Sequence, residues 1–185
     1  MNISRDYDVL RLIEHNRSCY VSTDVVKGCS LVQWVKYHPY LEKQQLIQWI
    51  HAIAQQLIQI HKCRGNPCYQ YVNPYSIIVS EDRKLCFLDM KSDSNQEVVK
   101  MMQRKNIREY FLPGGCSYRD ADEELDIYGL GKTIQYLLAT AEIEPRLTRR
   151  EERNIRKMIT KCIEVDKGKG GKKITDIQKY LSALC

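Results

Sequence analysis

The stretch YQYVNPYSIIVSEDRKLCFLDM, Tyr69–Met90, has the outline of a catalytic strand–turn–strand unit. Two short apolar runs, Ile77–Val79 and Leu85–Leu88, flank a charged turn and end on a lone carboxylate, Asp89. Such a carboxylate either helps to hold a metal ion or accepts nearby backbone N–H groups, and the second is the commoner task of a strand-end Asp. Where acid–base chemistry belongs, just upstream, stand Tyr69, Gln70, Tyr71 and Ser76. A tyrosine hydroxyl, with an ordinary pKa of about 10, stays protonated at neutral pH and is a poor proton acceptor. Ser76 offers a single hydroxyl oxygen, a weak metal ligand. The eight cysteines form no C-x-x-C pair, and His15, His38, His51 and His61 are not spaced with them as zinc ligands. Cys86 and Cys162 fall within apolar patterns, where a free thiol packs as a small hydrophobe.

The elements that must position these residues belong to one domain, 1–185, because 185 residues with 43% hydrophobic content suffice for a single core. No apolar run is long enough to span a bilayer, and the charges of MNISRDYDVLRLIEHNR are too dense for a signal peptide, which places the chain in the cytoplasm. The formal charge of +6 is concentrated in 146–173, where eleven Lys or Arg face only Glu151, Glu152, Glu164 and Asp166. A solvated helix face with a basic loop explains this better than a nucleic-acid or anionic-membrane patch, since few aromatics interleave with the charges.

Residues 7–14 and 19–26 read as a β-hairpin ended by Lys27–Gly28. A short helix follows with Ser30 at its N-cap. Leu41–His61 carries Leu46, Ile47, Ile50, Ala54, Leu57, Ile58 and His61 at helical spacing. Lys91–Glu109 reads as a loop with one helical turn at EVVKMM. Glu124–Thr140 is a helix with Leu130, Ile134, Leu137 and Leu138 on one side and two glycines, Gly129 and Gly131, that mark close packing. A Thr148/Glu151 capping box opens the next helix, and a Thr175/Gln178 box the last, with DKGKGGKK between them as a basic loop. Trp34 and Trp49 read as core or interface anchors.

In this order, with Ile60–His61 closing the long helix, YFLP (Tyr110–Pro113) closing the polar segment and DIYGLG (Asp126–Gly131) opening a helix, the elements resemble the C-terminal lobe of a eukaryotic-type protein kinase. DIYGLG resembles its bacterial branch most. The resemblance covers essentially the whole chain and implies a mainly α (α+β) fold with two short β-hairpins, 7–26 being a remnant N-lobe hairpin and hinge and 27–185 the C-lobe. It places Tyr69, Gln70 and Tyr71 on H-R-D, Asn73–Pro74 on the Lys-Pro that follows, Ser76 on the metal-binding Asn and Asp89–Met90–Lys91 on D-F-G. Of the catalytic set only the magnesium Asp remains, and Lys91, in place of the glycine, is a possible ion-pair partner for it. Thr23 falls on the gatekeeper and Asp24–Val26 on the hinge, so that Asp89, Thr23, Asp24, Val26 and Ile78 mark a vestigial nucleotide site. His61, Asp126, Gly129 and Gly131 fall on structural positions, Asp126 as the acceptor for the catalytic-loop backbone.

The resemblance also implies losses. Residue 7 falls near the fourth small-lobe strand, beyond the Gly-rich loop and the phosphate-binding Lys. Pro113 is followed by Gly114 instead of Glu, Lys173 replaces its Arg partner, and Ala141–Leu147 leaves no room for the helix on which kinases often dock substrates. The implied protein is a truncated, noncatalytic pseudokinase, an interaction, scaffold or signalling module with no cofactor expected, and ATP with magnesium only if a residual site exists. Its expected partner is another protein, or a self-copy, on the face normally covered by the N-lobe, lined by Cys19–Val26, Ile78 and Leu88. Two alternatives stand beside this: a phosphotransferase completed by a partner small lobe, and an electrostatic binder of nucleic acid or anionic membrane through 146–173. Ser92, Ser94 and Ser117 read as ordinary loop serines, with phosphorylation the sharper possibility.

Overall fold

Asn16 and Arg17 both take positive φ, 49° and 62°, the conformation a two-residue hairpin turn needs to match the strand twist. They join β1 (Arg5–His15) to β2 (Ser18–Ser30), paired in register from Arg5↔Gly28 to His15↔Ser18. The computed structural model describes residues 3–63, 68–114, 122–164 and 173–184. Among these, β2 does not stop at Lys27–Gly28. It runs on to pair Gly28, Cys29 and Ser30 with Ser80, Val79 and Ile78 of β4 (Ile77–Ser80). Gly28 makes this possible, because a Cβ there would lie 2.2 Å from the Val79 carbonyl oxygen. With β5 (Leu85–Phe87) antiparallel to β4, the two hairpins join as one four-stranded sheet, β1-β2-β4-β5.

Ser30 then caps α1 (Leu31–Tyr37) in a full capping box with Gln33. The long helix, α2 (Lys43–Lys62), begins two residues later than its periodicity predicts, because Tyr40–Glu42 forms β3. That strand pairs in parallel with β6 (Glu142–Glu144), a two-stranded sheet in the segment too short for a substrate-docking helix. The predicted α2 stripe is buried as Leu46, Ile50, Ala54, Leu57 and Ile58, joined by Trp49 and Ile53. Trp49 sits edge-on to the half-buried Trp34.

The segment predicted as a loop with one helical turn is instead a 3-10 turn (Asp93–Asn95) followed by α3 (Gln96–Met102) and α4 (Lys105–Phe111). Its buried residues, Val98, Val99, Met102, Ile107 and Phe111, are divided between two seven-residue helices, each too short to show a period. They form a second core with Tyr7, Val9, Ile78 and Leu88. The main core packs α2 against α5 (Glu123–Thr140), α6 (Arg149–Ile163) and α7 (Thr175–Ser182). Asp122 caps α5 and the Thr148/Glu151 box caps α6. The Thr175/Gln178 box does not form; Ile174 is the N-cap of α7, and the Asp176 carboxylate accepts the Lys173 N–H instead. Gly131 lets α5 close on α6, since a Cβ there would lie 2.5 Å from that of Cys162.

The cysteines are not all free. Cys19, at the start of β2, is disulfide-bonded to Cys63, the C-cap of α2, with the Cα atoms 4.7 Å apart, a normal span for the bond. Sequence separation hides this pair, because only the fold lays the hairpin across the end of α2. Cys86 and Cys162 take part in no disulfide, as their apolar settings imply. Ser117 and all of DKGKGGKK but Lys173 lie outside the described residues.

Candidate functional site

Three of the motif residues meet beneath the loop that precedes β4. Asp126 is fully buried, and its carboxylate accepts the Tyr69 N–H at 2.6 Å, the Gln70 N–H at 2.9 Å and the His61 Nε2–H at 2.8 Å. Gln70 takes φ +92°, a conformation that costs a non-glycine residue about 1–3 kcal/mol. The two backbone bonds to Asp126 hold that strained residue in place. Gly129, one turn on, brings α5 against the same loop: a Cβ there would stand 2.2 Å from the Val72 carbonyl oxygen. His61, Asp126 and Gly129 thus build one support, while Gly131 serves the α5–α6 contact.

Apart from the exposed Gln70 and the half-buried Tyr75, the residues of the loop so held are buried. Tyr71 is 1% exposed and its hydroxyl donates to the Met102 carbonyl at 2.8 Å. Burial pushes its pKa above the ordinary tyrosine value, so the phenol is even less able to accept a proton. The Tyr69 hydroxyl donates to the Leu88 carbonyl at 2.6 Å, and burial raises its pKa as well. Ser76 is fully buried; its Oγ donates to the Tyr71 carbonyl and accepts the Asn73 N–H. The Asn73 side chain accepts from the Tyr75 and Ser76 N–H groups and donates to the Tyr71 carbonyl. The Ser76 hydroxyl and the Asn73 side-chain oxygen are therefore taken up in holding the turn itself. Burial, with Asp126, Asp122 and Glu123 adding negative charge, pushes the neighbouring Cys68 thiol up to about 11, far from a reactive thiolate.

Asp89 sits where β1 crosses the end of β5. Its carboxylate accepts the Thr23 hydroxyl at 2.6 Å and the Lys91 N–H at 3.0 Å. Among the described residues no ion pair joins it to Lys91; the backbone contact is the one made. The Asp89 N–H donates to the Asp8 carbonyl at 2.9 Å, Val9 bridges Leu88, and the buried Asn95 side chain ties the Asp8 and Asp89 carbonyls together. Ser92 and Ser94 both donate to the Asp8 carboxylate and hold its pKa below the usual value. Asp8 and Asn95 have no signal in the sequence, because each has a partner more than eighty residues away.

This geometry changes the expected upper face. Ile78 and Leu88 are not exposed; both are fully buried in one cluster with Tyr7 and Val9 of β1. The hairpin itself fills the apolar floor. Of the five residues assigned to a vestigial nucleotide site, Thr23 and Asp89 line one cavity of about 390 Å³ with Leu10, Tyr69, Gln70 and Lys91. Asp24 is elsewhere, accepting the Val25 N–H and standing 4.0 Å from Arg11, while Val26 packs on the second core and Ile78 lies within it. Magnesium with a nucleotide needs several oxygens in octahedral array. Here one carboxylate is already engaged twice and the second ligand position, Ser76, is locked in the turn, so these residues do not fit that group. Among the described residues no three His, Cys, Asp or Glu are grouped to hold a metal ion, and no helix is long and apolar enough to cross a membrane.

No protein-family model matches the sequence, and no curated protein matches it. Among solved structures it is similar to the apo form of PpkA-294, a bacterial Ser/Thr kinase domain, with a TM-score of 0.60 at 17% identity. The match covers 94% of this chain and 66% of that one, so the chain spans just under two thirds of the kinase domain's length. At this identity the likeness speaks for the fold alone. The chain has a protein-kinase-like α+β fold.

Proposed function

We propose that the chain is a noncatalytic, kinase-like module that works by binding another protein rather than by transferring phosphate. One observation supports this above the rest: at the position that the resemblance gives to the proton-accepting Asp, the Tyr71 side chain is buried and donates its proton to the Met102 carbonyl. Thr23 and Asp89 keep a hydrogen bond across a strand crossing, so their retention serves the fold. A protein partner, or a second copy of the chain, meets the hairpin where Ile13, Tyr20 and Val25 stand exposed, Ile13 and Tyr20 being cross-strand neighbours. The test is incubation of the chain with γ-labelled ATP, magnesium and general protein substrates. The expected result is no label on the chain or the substrates beyond that of an Asp89→Ala variant. Label that depends on Asp89 would restore the reading of a phosphotransferase, with or without a partner small lobe.

A second reading, binding of nucleic acid or anionic membrane through 146–173, has one observation in its favour. Tyr180 of α7 lies in a groove with Arg149, Arg153, Arg156, Lys157 and Lys161 of α6, bringing to the basic face the aromatic that the linear sequence lacks there. Affinity for an oligonucleotide falling as about the third power of salt concentration, the slope for four phosphate contacts to a single strand, would support it.

A further inference from the structure

A second cavity, of about 340 Å³, shares none of its lining with the Asp89 cavity. It lies between the start of β1, the α1 cap and α3, with Tyr7, Tyr75, Val98 and Met101 among its walls and Arg5 and Arg104 lining it as well. The Arg5 guanidinium is laid over the Tyr7 ring, 4.6 Å from its centroid, which restricts its freedom before any ligand arrives. Among the described residues no carboxylate lies within ion-pair distance of Arg5 or Arg104. Two guanidinium forks at one cavity of mixed polar and apolar lining suit a compact, doubly charged oxyanion, which each fork can bind through two N–H groups. Glu97 also lines the cavity, so two cations stand there against one carboxylate, whose charge opposes any anion and an extended polyanion such as a nucleic-acid strand most. The volume and the aromatic walls accommodate a ring as well as the anion.

We propose that this cavity binds an aryl phosphate, the phosphotyrosine side chain of a partner polypeptide, so that the module reads phosphorylation. Arg5 and Arg104 take the phosphate, and Tyr7, Tyr75, Val98 and Met101 take the ring. The proposal deepens the binding-module reading above and rests on it. The two fail separately, since transfer from labelled ATP and phosphate-ester binding are different measurements.

The test is calorimetric titration of the whole chain with N-acetyl-phosphotyrosine amide. The matched probes are N-acetyl-tyrosine amide, N-acetyl-phosphoserine amide, inorganic phosphate and a single-stranded oligonucleotide. Binding of the phosphotyrosine probe is expected to exceed that of each other probe by about tenfold or more, the worth of one charge-assisted hydrogen bond. Arg5→Ala and Arg104→Ala, checked for unchanged melting midpoints, are each expected to lose about tenfold, and Arg104→Lys less, because it keeps the charge and loses the fork. Equal binding of tyrosine and phosphotyrosine overturns the proposal. So does equal binding of phosphoserine or inorganic phosphate, which would mean an anion site without ring recognition, or tighter binding of the oligonucleotide. Folded arginine variants that bind like wild type overturn it as well.

Discussion

Replacing Asp126 probes the support on which the loop rests. The fully buried carboxylate accepts from Tyr69 N, Gln70 N and His61 Nε2. Hydrogen bonds to a charged group are worth about 1.5–3 kcal/mol each, but these three form one network and do not add. Removing the acceptor leaves three donors with no water to turn to, each at a cost of about 1–3 kcal/mol when fully buried. Asp126→Ala is therefore expected to lose about 4 kcal/mol, a large part of the roughly 5–15 kcal/mol by which domains are stable. Asp126→Asn keeps one acceptor oxygen but turns an NH₂ toward a donor, and about 2–3 kcal/mol is expected. Urea unfolding followed by fluorescence of the buried Trp49 measures both, and a double-mutant cycle with His61→Ala is expected to give a coupling of about 1–3 kcal/mol. Amide exchange at Tyr69 and Gln70 should accelerate in the variants before global unfolding does. A loss below about 1 kcal/mol for Asp126→Ala, far under what a buried charged acceptor is worth, would refute the reasoning.

Three further outcomes follow from the packing and the ionic contacts. Gly129→Ala, gaining up to about 1 kcal/mol of helix propensity, is expected to be net destabilising by about 1–3 kcal/mol because the new methyl meets the Val72 carbonyl; an unfolding midpoint at or above wild type would contradict it. Cys63→Ser opens a 44-residue loop and is expected to cost up to about 4 kcal/mol without reductant and almost nothing with it, so urea curves insensitive to reductant in wild type would count against the bond. Ser92 and Ser94 hold the Asp8 pKa below its unfolded value of 3.8, so their contribution is present above that pH and is lost as pH falls through the lower folded value. The Ser92→Ala/Ser94→Ala double variant should show a shallower acid loss than wild type below about pH 4, read by melting midpoints across pH. Parallel curves would show that the two serines do not stabilise the ionised Asp8.

Much of the fold is legible in the sequence because its signals are local. The Ser30 and Thr148 caps, the α2 stripe and the two glycines of α5 each act through neighbours a turn away or through size alone, and all are where the residue types imply. What the sequence hides depends on distant partners. Tyr40–Glu42 is a strand only because Glu142–Glu144 lies beside it, and α3 and α4 are helices too short for a period. The site divides the same way. Asp126 is readable from its motif, and the engagement of Asp89 by nearby backbone is readable from its place at a strand end. The burial of Ile78 and Leu88 is not readable, because it requires the hairpin to fold back across β5 rather than stand above it. The Arg5 and Arg104 cavity is invisible for the same reason, its walls coming from four separate segments.

The most direct test of the central claim is the thermal midpoint of the chain with and without millimolar ATP and magnesium. A ligand at 100 times its dissociation constant stabilises by about 2.7 kcal/mol, which raises the midpoint of a chain this long by roughly 5–11 °C. With Asp89 held by Thr23 and Lys91 and β1 laid across the end of β5, no such rise is expected. A magnesium-dependent rise of about 5 °C that Asp89→Ala abolishes would contradict the account and make nucleotide binding at Asp89 the better reading.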